Sequence, residues 1–207
     1  MSSTERIESV PESEHDRALL YVARESIRHG LAHGTPLQVE PERFAPALRE
    51  HRASFVTLHR HGVLRGCIGV LEPVRPLIED VAQNAFAAAF RDPRFEPLSP
   101  LELEGLLLQI SLLSGHEPIA HHSERHLLEQ LRPGVDGLIL EWEGGRGTFL
   151  PAVWQSLKEP QQFLSQLKVK AGLEPDAWPP SLHALRYTCR CLGPVAAMPM
   201  GVGGDAG

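Results

Sequence analysis

The stretch from Ala53 to Val70 has fewer ways to fold than any other part of this chain. Ala53 to His59 and Val63 to Val70 are apolar-rich runs that flank Arg60-His61-Gly62. Two such runs joined by a short loop ending in glycine predict a β-hairpin, with the glycine left-handed. A three-residue loop would set Leu58 opposite Leu64, Val56 opposite Gly66, Thr57 opposite Arg65 and Phe55 opposite Cys67. Successive strand residues point to opposite faces. Leu64, Gly66, Ile68 and Val70 therefore make a core face, and Val63, Arg65, Cys67 and Gly69 make the other. The hairpin commits the fold to a sheet and sets an arginine and a cysteine side by side away from the core.

The remaining elements follow from periodicity and breakers. A first helix is expected over about Ser13 to His29, with Leu20, Ala23 and Ile27 on one face and Gly30 as its C-terminal cap. Gly34 to Ala47 reads as a loop with room for one short helical turn. A second helix runs from about Pro76 to Arg91 with a wide stripe of Leu77, Val81, Ala82, Ala85, Phe86 and Ala89, and Asp92-Pro93 stops it. Strands are expected at Leu106–Leu113, Leu138–Trp142, Arg146–Leu150 and His183–Leu192, and a helix at Pro160–Ala171. This order predicts an α+β fold with a mainly antiparallel sheet packed against helices. The domain spans about 14–193, with 1–13 and 194–207 as flexible termini.

Composition limits the function classes. The formal net charge is -6, from 20 Lys+Arg against 26 Asp+Glu. A nucleic-acid binder needs a basic footprint, so that class is disfavoured. No apolar run is long enough to span a bilayer, and the polar first residues do not read as a signal peptide. Three cysteines, Cys67, Cys189 and Cys191, fit free thiols in a reducing compartment, hence a cytoplasmic location.

The chemistry concentrates in Arg65-Gly66-Cys67-Ile68-Gly69. A guanidinium beside a thiol favours the thiolate, which is the nucleophile. Gly66 and Gly69 in a strand mark a bulge or the close approach of a ligand or another backbone. The plainer alternative is that Cys67 is a small core residue. A second element is Arg91-Asp92-Pro93-Arg94. A carboxylate at a helix C-terminus needs a partner, and Arg94 or Arg65 could supply it. The segment is then either a local ion-paired turn or a ligand-binding wall of Arg91, Asp92 and Arg94. His59 is the one histidine placed to serve Cys67 as a base. Cys189 and Cys191 share a face with Leu185 and Tyr187 and read as core residues. His121, His122 and His126 lack the Glu of a zinc-protease motif. No metal or cofactor site is expected.

Leu64–Gly69 resembles the hallmark of the AMMECR domain family. Ala89–Leu98, Ile110–Leu113, Gly134–Leu138, Leu150–Trp154, Phe163-Leu164, Lys170–Leu173, Trp178 and Arg186-Tyr187 resemble further segments of that family in the same order, so the likeness covers about Ala18 to Leu192. The form it is most similar to is the A protein of the AmmeMemoRadiSam system. The resemblance implies an α+β fold with one larger part and a smaller lobe, and partnership with a Memo-like protein and a radical SAM protein. It strengthens the expectation that Arg65 and Cys67 are functional. Three readings stay open: a Cys67-dependent enzyme, a non-catalytic accessory subunit of that system, and a nucleotide or nucleic-acid binder.

Overall fold

The structure, a computed structural model, describes residues 13–197. The elements are α1 (Glu14–His33), α2 (Pro46–Arg49), β1 (Ser54–Arg60), β2 (Val63–Gly69), α3 (Leu77–Phe90), β3 (Leu106–Leu113) and β4 (Glu117–Pro118). They continue with α4 (Glu124–Leu128), β5 (Gly137–Trp142), β6 (Gly145–Phe149), α5 (Pro160–Lys170), β7 (His183–Tyr187) and β8 (Cys189–Ala196). The expected mixed fold with antiparallel sheets is what the chain forms, divided into two compact units. Among the described residues, one holds 13–112 and 191–197; the other is Leu113–Arg190.

In the first unit the sheet order is β2-β1-β3-β8, with β1 antiparallel to both β2 and β3. Val56, Leu58, Leu108, Ile110 and Leu112 are buried on one face and share a core with α1 and α3. The α3 helix is apolar almost all round because it packs on α1 as well as on the sheet, as a helix buried on more than one side must be. Its Ala88 backbone comes so close to β2 that a Cβ at Gly66 would run into the Ala88 carbonyl oxygen. Gly66 thus serves the approach of another backbone.

Two expectations about helix and hairpin ends change. The α1 helix runs past Gly30 to His33 and is capped by Gly34 in the left-handed conformation. Gly30 is buried instead, in a position where a Cβ would meet the Phe90 ring. The hairpin closes through His61 and Gly62, both at positive φ (51° and 78°), between the paired Arg60 and Val63. Its register then shifts: Leu58 pairs with Gly66 but His59 with Leu64, so Arg65 is the extra residue of a β-bulge. Thr57 therefore faces Cys67, and Phe55 faces Gly69. Period-two alternation cannot register an inserted residue.

The expected last strand is two strands broken at Thr188, β7 and β8, which belong to different sheets. Cys191 is exposed, its Sγ 3.6 Å from Ser111 Oγ, and Cys189 is half-buried; the core expected around Cys191 is absent. The β8 strand continues through Ala196, beyond the expected end of order at 193. Likewise Ser13 caps α1, and the rest of the expected flexible termini lies outside the described residues.

The second unit has the sheet order β4-β7-β5-β6, with α5 packed on it. Leu138, Leu140, Trp154, Phe163, Leu164 and Leu167 form its core, and Trp154 stacks on Phe163 at 3.8 Å. Lys168 is fully buried there, with Nζ donating to Glu124 Oε2 (2.7 Å) and the Pro175 carbonyl (3.2 Å).

Candidate functional site

The β2 strand lies at the edge of its sheet, so alternate backbone groups along it have no strand partner. At Cys67 those groups are taken by side chains from the turn after α3. The Cys67 N–H donates to Asp92 Oδ2 (2.8 Å), and Arg94 Nη2 donates to the Cys67 carbonyl (3.3 Å). Arg94 also grips Asp92 in a fork, Nε to Oδ1 at 2.9 Å and Nη2 to Oδ2 at 2.7 Å. Asp92 Oδ1 further accepts the Arg94 N–H (3.1 Å). The Asp92–Arg94 pair thus takes the place of a neighbouring strand over one residue, and that residue is Cys67.

The electrostatics follow from this geometry. The Asp92 side chain is 2% exposed, that of Arg94 53%. Hydrogen bonds from the Arg94 guanidinium, helped by the Cys67 N–H, hold the Asp92 carboxyl well below the usual carboxylate range despite its burial. The same pairing raises Arg94 above its ordinary value. Of the two partners the sequence left open for Asp92, the structure selects Arg94.

Arg65 is engaged elsewhere. Its Nε and Nη2 donate to Glu102 Oε1 and Oε2 at 2.6 and 3.2 Å, and Nη2 also reaches the Glu96 carbonyl at 2.8 Å. The bidentate hydrogen bonds from Arg65, with further bonds from Ser99, bring the Glu102 carboxyl down to about 2. The arginine whose charge is directed at Cys67 is Arg94, through the Cys67 carbonyl. Both guanidiniums lie over the Phe95 ring, at 5.7 Å for Arg65 and 5.5 Å for Arg94.

The Cys67 thiol is half-buried and free. Thr57 Oγ1 donates to Cys67 Sγ at 3.3 Å, a contact that follows from the bulge-shifted register. His59, two residues along β1 from Thr57, pairs with Leu64. Arg91 packs over the Phe86 ring, at 4.9 Å from its centroid. At Gly69 a Cβ would meet the Phe55 ring and the Ser54 carbonyl, so this glycine too answers a packing need.

Sequence reasoning missed Thr57 and Glu102. Thr57 was hidden by the shorter turn and the bulge together. Glu102 carried one local signal, the Ser99-x-x-Glu102 capping box, which marks a helical turn but names no distant partner. Among the described residues, no group of three or more His, Cys, Asp and Glu is arranged to hold a metal ion. No described helix is long and apolar enough to cross a membrane.

Comparison with known proteins matches the AMMECR1 family model to residues 20–192. A protein of Thermofilum pendens is 37% identical over 80% of this chain and 83% of its own length. One of Methanothermobacter thermautotrophicus is 38% identical over 83% of this chain and 90% of its own. The crystal structure of an uncharacterized protein from Pyrococcus horikoshii superimposes with a TM-score of 0.75 at 34% identity, covering 84% of this chain and 88% of that one.

Proposed function

The chain belongs to the AMMECR1 family, and we propose that it works as a cysteine-dependent enzyme with Cys67 as nucleophile. The observation that carries this reading is the treatment of one residue. The Cys67 backbone is fixed on both sides by Asp92 and Arg94, while the residue stays partly exposed and its sulfur receives a hydroxyl from Thr57. A thiol needed only for packing has no use for a held backbone and a polar partner on sulfur; a nucleophile gains orientation from both. In the reaction the Cys67 sulfur forms a bond to an electrophilic carbon, its proton passes to solvent, and the leaving group departs with its electron pair. A second nucleophile then releases the carbon from sulfur and regenerates the thiol.

The Arg65-Gly66-Cys67-Ile68-Gly69 strand has separate tasks along its length. Arg65 braces the 96–102 loop through Glu102, Gly66 admits α3, and Cys67 acts. The family resemblance suggests a place within the AmmeMemoRadiSam system, with a Memo-like and a radical SAM protein as partners, and the low cysteine count suits a reducing, cytoplasmic setting. The test is to incubate the chain with those two proteins, quench in acid and map adducts by peptide mass. A mass gain confined to the Cys67 peptide, absent in Cys67→Ser, is expected. If Cys67→Ser supports the partners' reaction as well as the wild type does, the nucleophile reading fails.

A second reading, a non-catalytic binding subunit, draws on exposed apolar side chains at one end of the first unit. Leu101 is 87% and Val63 69% exposed, and Arg60, paired with Val63, donates to the Leu101 carbonyl. Patches of that kind mark protein contacts. Under this reading Leu101→Asp abolishes partner binding and Cys67→Ser leaves it unchanged.

A further inference from the structure

We propose that the substrate of Cys67 is a small anionic electrophile, a molecule with a carboxylate or phosphate beside its reactive carbon, and that Arg94 anchors the anion. This rests on the reading of Cys67 as nucleophile and adds to it the class of molecule attacked.

The argument starts from how the Asp92–Arg94 pair is set into the surface. Arg94 spends Nε and Nη2 on Asp92 and the Cys67 carbonyl. Its Nη1 has no hydrogen-bond partner among the described residues. The pair is neutral in sum but not in what it presents: the Asp92 side chain is 2% exposed and that of Arg94 53%. Solvent, and any ligand in it, meets the positive end. Because Nη2 rests on the Cys67 carbonyl, that positive end lies within one residue of the sulfur.

The neighbouring charges do not cancel it. Arg65 and Glu102 are paired with each other at 13% and 23% exposure. Arg91 is exposed and adds a positive charge on the Phe86 side. Glu96, also exposed, adds a negative charge in the loop that its carbonyl ties to Arg65. A guanidinium offers planar donors that match a carboxylate or phosphate, and it stays charged at any working pH. The edge clamp also bears on substrate shape. With its N–H and carbonyl occupied, Cys67 cannot pair with an incoming peptide strand, so the substrate comes to the sulfur as a compact group.

Two alkylating probes of nearly equal size test this: iodoacetate, which carries the charge, and iodoacetamide, which does not. Each forms one S–C bond at Cys67 and releases iodide. Rates are read at the Cys67 peptide by mass spectrometry, in the folded chain and in the urea-unfolded chain as reference. At low salt the iodoacetate-to-iodoacetamide ratio is expected to be about tenfold higher in the folded chain, and about 0.5 M NaCl should erase most of the excess. Arg94→Gln should return the ratio to the unfolded value, and Arg94→Lys should keep part of it. Inorganic phosphate and acetate, as competitors of iodoacetate, report which oxyanion the site prefers. If Cys67 reacts with iodoacetamide but the folded and unfolded ratios agree, the anion anchor is wrong and the nucleophile survives. If the folded chain reacts with neither probe, the nucleophile reading falls and the anchor falls with it. Should Arg94→Gln fail to fold, the salt dependence of the wild-type ratio decides alone.

Discussion

At the N-terminal end of α3, Asp80 reaches across to β1; just past the C-terminal end, Asp92 reaches across to β2. Each carboxylate accepts a strand N–H, Asp80 from Ser54 at 3.0 Å and Asp92 from Cys67 at 2.8 Å. There the likeness ends. Asp80 is fully buried, and its Oδ2 also accepts the Ser54 hydroxyl (2.6 Å) and the Asn84 amide (2.8 Å). Burial outweighs those bonds and the Arg75 charge 3.3 Å away, and pushes the Asp80 carboxyl up to about 6. Asp92, nearly as buried, is held low because its partner is a full guanidinium fork. One end of the helix is sealed into the core by neutral donors; the other is tied to a charge that opens to solvent beside a thiol. The contrast teaches that burial alone does not mark a working carboxylate. What the buried group holds, and where that partner faces, separates a staple from a site.

The largest effect should come from the sealed end. Asp80→Ala leaves the Ser54 N–H, the Ser54 hydroxyl and the Asn84 amide without their acceptor, and should lower stability by about 3–5 kcal/mol in urea unfolding. A loss as small as that of an exposed mutation would erase the distinction between the two ends.

Titration sharpens it next, because the two ends respond to pH with opposite sign. Asp80 is raised in the folded state, so its contribution is fully present below about pH 4 and is lost as pH rises through about 6. From the shift, that contribution is on the order of 3 kcal/mol. Asp92 and Glu102 are lowered, so theirs is present above about pH 4 and is lost as pH falls through the range below. Urea unfolding from pH 3 to 8 should show both limbs, with Asp80→Asn removing the upper one and Asp92→Asn reducing the lower to the share that Glu102 contributes. If Asp80→Asn leaves the slope between pH 4 and 7 intact, Asp80 is not the buried acid described.

A smaller loss, about 2 kcal/mol, is expected from Asp92→Ala, since the stranded Arg94 can turn to water. Hydrogen exchange should then speed at the Cys67 amide while the Ser54 amide keeps its protection; equal loss at both would mean the ends are not independent. The smallest change belongs to Thr57→Val. Stability should move by less than about 1 kcal/mol, and alkylation of Cys67 should slow roughly threefold, the scale of one neutral hydrogen bond. No change in that rate would mean the Thr57 hydroxyl is idle.

Much of this was legible in the residues and some was not. The Ala53–Val70 hairpin and the Pro76–Arg91 helix follow from local patterning, and the need of Asp92 for a partner follows from its place at a helix end. These are short-range signals. The bulge at Arg65 is a register event with no signature in an alternating run; together with a turn one residue shorter than expected, it set Thr57, not Phe55, opposite Cys67. Glu102 lies 37 residues from Arg65, so only the folded chain could divert that arginine from the thiol. Asp80 and Asn84, inside a strongly apolar helix, gave no hint that both reach Ser54. Gly66 was correctly marked as a point of close approach, but which of a ligand or a backbone approaches was a question of packing.

The central claim, that Cys67 is held as an accessible working thiol, is tested most directly by timing its modification in the folded protein. The chain is treated with iodoacetamide at pH 7 in the absence of denaturant, and the Cys67 peptide is followed apart from those of Cys189 and Cys191. Labelling within about tenfold of the urea-unfolded rate, with the fold intact by circular dichroism, is the result expected of a partly exposed cysteine on a fixed backbone. Labelling that proceeds only at the rate of global unfolding would make Cys67 a core residue and contradict the account.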